Sequence, residues 1–125
     1  MFGPERINVK LEYELLSTPG KKLWDSVAKD LKTVFKEMNL SARQKDALVQ
    51  RYMAEVRYED LLRTNEYLNR THEEYSQNAI RRNKLAMAKL DRVYKGNESC
   101  VREVKDQVEE RMKALSHQKQ VTQAK

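Results

Sequence analysis

Glycine, proline and cysteine are all scarce in this chain of 125 residues. The three glycines and two prolines leave few positions that suit tight hairpin turns or that break a helix. The single cysteine, Cys100, cannot form a disulfide within the chain, which agrees with a reducing compartment. This scarcity favours helices, and we therefore expect an all-α fold.

Long apolar runs and motifs for chemistry are also missing. No run of about 18 apolar residues could cross a bilayer, and residues 1–5 lack the order of a secretory signal, so we predict a cytoplasmic protein. There is no glycine-rich phosphate loop, and His72 and His117 have no nearby Cys or His that would complete a metal site. We expect no cofactor, no metal and no enzymatic activity.

Charged residues, in contrast, are abundant, at 35% of the chain. Lys and Arg number 25 against 19 Asp and Glu, which gives a formal net charge of +6. A basic balance of this kind favours anionic partners such as nucleic acid. Apolar residues, at 39%, recur in periodic groups that can bury one face of each helix, and the length suits one domain.

The patterning predicts a single helical domain over residues 18–115 with about four helices. Residues 1–17 form an N-terminal arm in which apolar and polar residues alternate, as in an extended segment. A helical turn over residues 10–16 is the alternative for this arm. Residues 116–125 are rich in Gln and Lys and are predicted to be a disordered tail.

Capping signals place the first two helices. Ser17 or Thr18 caps a helix with Pro19 in its first turn, and this helix runs to about residue 38. Ser41 and Gln44 have the spacing of a capping box and start a second helix that reaches about residue 68. The link of about three residues predicts a helical hairpin or a helix-turn-helix near the N-terminus.

A polar stretch over residues 65–78 predicts a joint, followed by a third helix over residues 79–95 that ends before Gly96. The last helix is predicted over about residues 99–115, and its apolar residues have heptad-like spacing. This spacing indicates either a coiled-coil seam that joins copies of the chain into a homo-oligomer or a helix that faces its own core. The residues assigned to the seam are Val101, Val104, Val108, Met112 and Leu115.

Most of the excess positive charge lies in the third helix, which contains six cations and a single acidic residue, Asp91. The candidate nucleic-acid-binding residues are Arg81, Arg82, Lys84, Lys89, Arg92 and Lys95. Several of them share one side of a helix and could follow a row of phosphates, although a solvated helix face without a ligand has the same pattern. Gln77, Asn78 and Asn83 are candidates for contacts with base edges.

The order of these features resembles that of bacteriophage terminase small subunits. The resemblance covers residues 23–102 and rests on Leu23-Trp24, on Asn39-Leu40-Ser41 with the following Gln44 to Leu48, and on Arg81-Arg82-Asn83 at the start of the basic helix. It implies a multimeric protein without catalytic activity that binds double-stranded viral DNA. It also implies a partner, the terminase large subunit, which carries the ATPase and nuclease activities, and a location in the host cytoplasm.

A protein-binding function is the alternative. A small helical protein with many tyrosines and methionines could act as an adaptor or inhibitor, for example of host transcription machinery, without binding DNA. The two hypotheses differ in one observable property, since only the first predicts salt-sensitive binding to DNA.

Overall fold

A computed structural model of the protein describes residues 3–71 and 74–124, with the backbone alone at Tyr75 and at residues 121–124. The predictions for His72 and for Lys125 lie outside the described residues. Every element in the described ranges is a helix, which confirms the all-α fold class, with five α-helices in place of about four. The helices are α1 (Val9–Leu15), α2 (Thr18–Glu37), α3 (Ala42–Asn69), α4 (Glu74–Gly96) and α5 (Lys105–Ala124), with a 3-10 turn at Glu98–Val101.

Helix α2 begins where the capping residues predict. The Ser17 side chain accepts a hydrogen bond from the backbone N–H of Gly20 at 3.2 Å, and Pro19 occupies the first turn. Asp60 of α3 adds a second cap, because its carboxylate accepts from the Ser17 backbone N–H at 2.9 Å. The start of α2 is therefore fixed to the middle of α3.

A capping box starts α3, as the sequence predicts. The Ser41 hydroxyl accepts from the Gln44 backbone N–H at 3.0 Å, and the Gln44 side chain accepts from the Ser41 N–H at 2.9 Å. Only four residues, 38–41, separate α2 from α3, and the two helices pack against each other.

Helices α3 and α4 form the central pair of the fold. The polar stretch predicted as a joint is mostly helical, because α3 continues to Asn69 and α4 begins at Glu74. Asn65, a buried polar residue at the start of this stretch, is satisfied between the two helices, because its Oδ1 accepts from the Asn83 amide at 2.9 Å. The core is one cluster of apolar residues that includes Trp24, Met53 and Val93.

The N-terminal arm is helical over most of the residues whose alternation predicted an extended segment. Residues 3–8 have no regular structure and precede α1, which confirms the helical-turn alternative. The buried Gln50 side chain accepts from the Ile7 N–H at 2.8 Å and donates to the Ile7 carbonyl at 3.0 Å. Asn97 donates to the Glu5 carbonyl at 3.2 Å, and Arg6 pairs with Asp46. These contacts fasten the arm across α3 and the end of α4.

The predicted disordered tail is wrong for residues 116–124, since α5 continues to Ala124. The Lys119 ammonium pairs with Asp30 at 2.8 Å and donates to the Ser26 carbonyl at 3.2 Å, both on α2. Composition favours disorder when a segment buries little apolar surface, but here a long cationic side chain joins the last turns to the neighbouring helix. Among the described residues, no helix is long and apolar enough to cross a membrane.

The residues assigned to an oligomerisation seam belong to the core of the single chain, and that assignment is corrected. Val101 and Val108 are fully buried and Met112 is 8% exposed, while Val104 and Leu115 pack against the same cluster. The core-facing alternative accounts for Val108, Met112 and Leu115, because α5 packs on α2. Val101 lies in the 3-10 turn and Val104 lies between that turn and α5, so the predicted helix over residues 99–115 begins only at Lys105. Heptad spacing shows that one side of a helix is apolar, but it does not show whether the partner helix is in the same chain.

Candidate nucleic-acid interface

The basic residues of α4 lie opposite the side that packs into the protein. Ile80, Met87, Leu90 and Val93 are buried and fix which side of the helix faces the core. All six predicted nucleic-acid-binding residues are exposed: Arg81, Arg82, Lys84, Lys89, Arg92 and Lys95. The structure therefore brings the six cations together on the solvent side of one helix, which we call the basic face.

The basic face has a centre and two flanks. Successive residues of an α-helix turn by about 100°, which places Arg81, Leu85, Ala88 and Arg92 along the middle of the exposed side. Arg82 and Lys89 then lie on one flank, and Lys84 and Lys95 lie on the other. Cations thus border both sides of a central row.

Two of the six cations already have carboxylate partners. Arg92 Nε lies 2.7 Å from Glu5 of the N-terminal arm, and Lys95 Nζ lies 3.0 Å from Asp91, one turn earlier on α4. Both pairs are well exposed, so each contributes little to stability. Within residues 3–71 and 74–124, the other four cations of the face form no ion pair.

Leu85 is a member of this face that the reasoning from charge missed. Its side chain is 75% exposed, the highest value among the exposed large apolar residues of the described chain. The helical position alone could have identified it, because Leu85 lies one turn after Arg81. An apolar side chain therefore stands in the central row between two arginines.

Of the predicted base contacts, Asn83 is placed differently from the expectation. Its amide is committed to Asn65 of α3, on the inner side of the helix. Asn78 is exposed and Gln77 is half-buried, so these two remain beside the N-terminal part of the basic face. Burial between two helices could not be read from the position of Asn83 next to two arginines.

Comparisons with protein-family models, curated proteins and solved structures give no match to this chain. In the part of the chain that the structure describes, no group of three or more His, Cys, Asp or Glu side chains is placed to hold a metal ion. Function must therefore be inferred from the geometry and charge of the surface itself.

Proposed function

We propose that this protein binds double-stranded DNA through the basic face of α4 and performs no chemistry of its own. The observation that supports the proposal is the exposure of six cations on one side of a helix whose other side is firmly packed. The packed side of the helix fixes the backbone positions from which the cations extend. Neutralising DNA phosphates with such cations releases counterions, which drives binding.

The two flanks suggest how the helix meets the duplex. The major groove of B-DNA is about 12 Å wide and admits an α-helix, with phosphates along both of its edges. Arg82 and Lys89 can face one phosphate row while Lys84 and Lys95 face the other. The central row, with Leu85 and Ala88, then points towards the base edges, where an apolar side chain can contact thymine methyl groups.

The resemblance to terminase small subunits supplies the finer part of the proposal. In this interpretation the protein recognises viral DNA in the host cytoplasm as a homo-oligomer and recruits the large packaging subunit. The copies would meet through a surface other than the residues of α5 that are buried in the chain. Leu11 and Leu15, one turn apart on α1, are 54% and 53% exposed and are suitable for such a contact.

A fluorescence-anisotropy titration with a labelled duplex tests the DNA proposal. The variant Arg81→Ala/Arg82→Ala/Lys84→Ala removes three charges from the basic face, and Lys29→Ala/Lys32→Ala/Lys36→Ala removes three exposed charges from α2 as a matched control. We expect the first variant to bind more weakly and to lose two to three units, approximately, from the slope of log affinity against log salt. The control should retain most of the affinity and slope.

Equal losses in both variants would show that net charge alone attracts DNA, and would contradict a defined face. Wild-type protein that ignores DNA at low salt would exclude the proposal altogether. That result would favour the protein-binding adaptor, for which the exposed leucines of α1 are the first candidates.

A further inference from the structure

A cavity of about 350 Å³ lies between α2, α3 and α5, away from the basic face. Its volume is within the range of pockets that hold small molecules. Leu48, Val101 and Met112 supply an apolar wall, and Lys113 and Ser116 of α5 also line the cavity. A cavity of this size and composition suits a small molecule with an apolar body.

Arg51 of α3 lines this cavity with an unusually buried guanidinium, since the residue is only 4% exposed. Buried charges are normally paired with an opposite charge. Among the described residues no carboxylate lies within ion-pair distance of Arg51. Instead, Nη1 donates to the Tyr94 carbonyl at 2.9 Å, and the guanidinium carbon lies 4.0 Å from the centre of the Tyr94 ring.

These contacts occupy part of the guanidinium and leave the rest available. The Tyr94 carbonyl belongs to the last turn of α4, where carbonyls lack helical partners and attract cations. No buried polar side-chain atom of the described residues lacks a hydrogen-bond partner. Because Nη1 makes the one hydrogen bond of this side chain, Nε and Nη2 must reach solvent. Arg51 lines the cavity, so the cavity is where these two nitrogens can meet a ligand.

Tyr52 adds a second donor to the same cavity. Its side chain is half-buried, and its hydroxyl has no hydrogen-bond partner among the described residues. Burial, with the nearby carboxylates of Glu109 and Glu55, raises the pKa of Tyr52 to about 12. The hydroxyl therefore keeps its proton at neutral pH and can donate it in a hydrogen bond.

We propose that this cavity binds a small monocarboxylic acid with an apolar body, whose carboxylate accepts hydrogen bonds from Arg51 and Tyr52. A planar guanidinium edge matches the two oxygens of a carboxylate. The carboxylates of Asp30, Glu55 and Glu109 also line the cavity, together with the cations Lys105 and Lys113. Because Coulomb repulsion grows with the charge of the ligand, these carboxylates disfavour a phosphate dianion more than a single carboxylate. The ligand thus carries a single negative charge.

Benzoate is the probe, with neutral benzamide and inorganic phosphate as comparisons, in calorimetric and ¹H–¹⁵N NMR titrations of the full chain. We expect saturable benzoate binding with shifts at residues that line the cavity, and much weaker binding of benzamide and phosphate. Tyr52→Phe removes the hydroxyl and keeps the ring, and should weaken benzoate binding about tenfold. Tyr58→Phe is the matched control, because Tyr58 is on the same helix but lines other cavities.

Arg51→Lys keeps the charge but loses the planar edge, and we expect it to abolish measurable binding. If that variant fails to fold, Tyr52→Phe remains a complete test. Benzamide binding as tightly as benzoate would overturn the proposal, as would Tyr52→Phe binding benzoate like wild type. The result is independent of DNA binding, because Arg51 and Tyr52 are outside the basic face.

Discussion

Asp60 and Gly20 determine together how α2 starts. Asp60 accepts hydrogen bonds from both the backbone N–H and the hydroxyl of Ser17, and it is only 5% exposed. A Cβ atom at Gly20 would lie 2.7 Å from Asp60 Oδ1. Glycine is therefore needed at this position for space, because a buried carboxylate that holds two hydrogen bonds cannot easily move away.

Gly20→Ala should destabilise the protein, although alanine favours helices by about 1 kcal/mol over glycine. The clash with Asp60 outweighs this gain, and we expect a net loss of about 1–2 kcal/mol in the free energy of unfolding. Urea denaturation measures the change. In an Asp60→Ala background the same substitution should be neutral or stabilising, and an equal loss in both backgrounds would contradict the steric explanation.

Glu55 makes the stability of the protein depend on pH. Burial, followed by the carboxylate of Glu59, raises the pKa of Glu55 above its ordinary value, and Glu109 of α5 adds to the effect. The folded state therefore holds this proton more tightly than the unfolded state, so the ionised form costs stability above the folded pKa. That cost disappears as the pH falls and Glu55 becomes protonated.

Glu55→Gln should consequently stabilise the protein at pH 7 and have little effect near pH 4. The gain is at most about 0.5 kcal/mol, because Glu55 is only partly shielded by its neighbours: the residue as a whole remains exposed, and solvent screens its charge. Urea denaturation at the two pH values measures the difference, with Glu110→Gln as the control on the exposed side of α5. An increase in stability that is the same at both pH values would argue against the ionisation as its cause.

At the scale of helices, α5 is held against α2 by polar contacts as well as by its apolar side. Arg111 forms two hydrogen bonds with the Glu37 carboxylate, at 2.7 and 2.8 Å, and this pair lowers the pKa of Glu37. Two turns later, Lys119 reaches Asp30 and Ser26. The last turns of α5 therefore depend on a few side chains instead of a broad core.

Lys119→Met should loosen the end of α5 without unfolding the protein. We expect faster hydrogen exchange at residues 116–124 and nearly unchanged exchange in α3, because local opening requires only the polar anchor to be lost. Hydrogen-exchange mass spectrometry measures both regions. Lys113→Met, also on α5 but exposed, serves as the control, and unchanged exchange in the Lys119 variant would show that the anchor is unimportant.

The helices differ in how far the sequence alone could define them. Local signals such as the Ser41–Gln44 capping box have short range, and they placed the starts of α2 and α3 correctly. The polar composition of residues 74–78 concealed the first turn of α4, because polar side chains such as the buried Ser76, which shares a hydrogen bond with Thr71, look like loop composition in one dimension. The sequence also could not show the cavity beside Arg51, since the residues that line it come from five elements.

At the scale of the whole molecule, an experiment can distinguish an α5 that packs in the core of its own chain from an α5 that joins two copies. Val108 is fully buried in the single chain, so Val108→Asn should lower the melting temperature by the same amount at every protein concentration. A polar side chain at this site should cost about 2–4 kcal/mol in the free energy of unfolding. Calorimetry over a wide range of concentrations tests this.

The opposite result would be a melting temperature that rises with concentration in the wild-type protein and does not in the Val108 variant. That result would support a seam between copies of the chain. The exposed variant Glu110→Asn, on the same helix, controls for a general effect of asparagine on helix stability. Both outcomes are visible without knowledge of any ligand.

The fastening of the N-terminal arm also has a consequence for how the chain matures. Asn97 holds the Glu5 carbonyl across 92 positions of sequence, and Gln50 holds Ile7 across 43. During synthesis the arm leaves the ribosome before both of its partners, Gln50 of α3 and Asn97 just after α4. The arm must therefore wait for α3 and α4 before it can be ordered, which makes its docking a marker that these helices have folded.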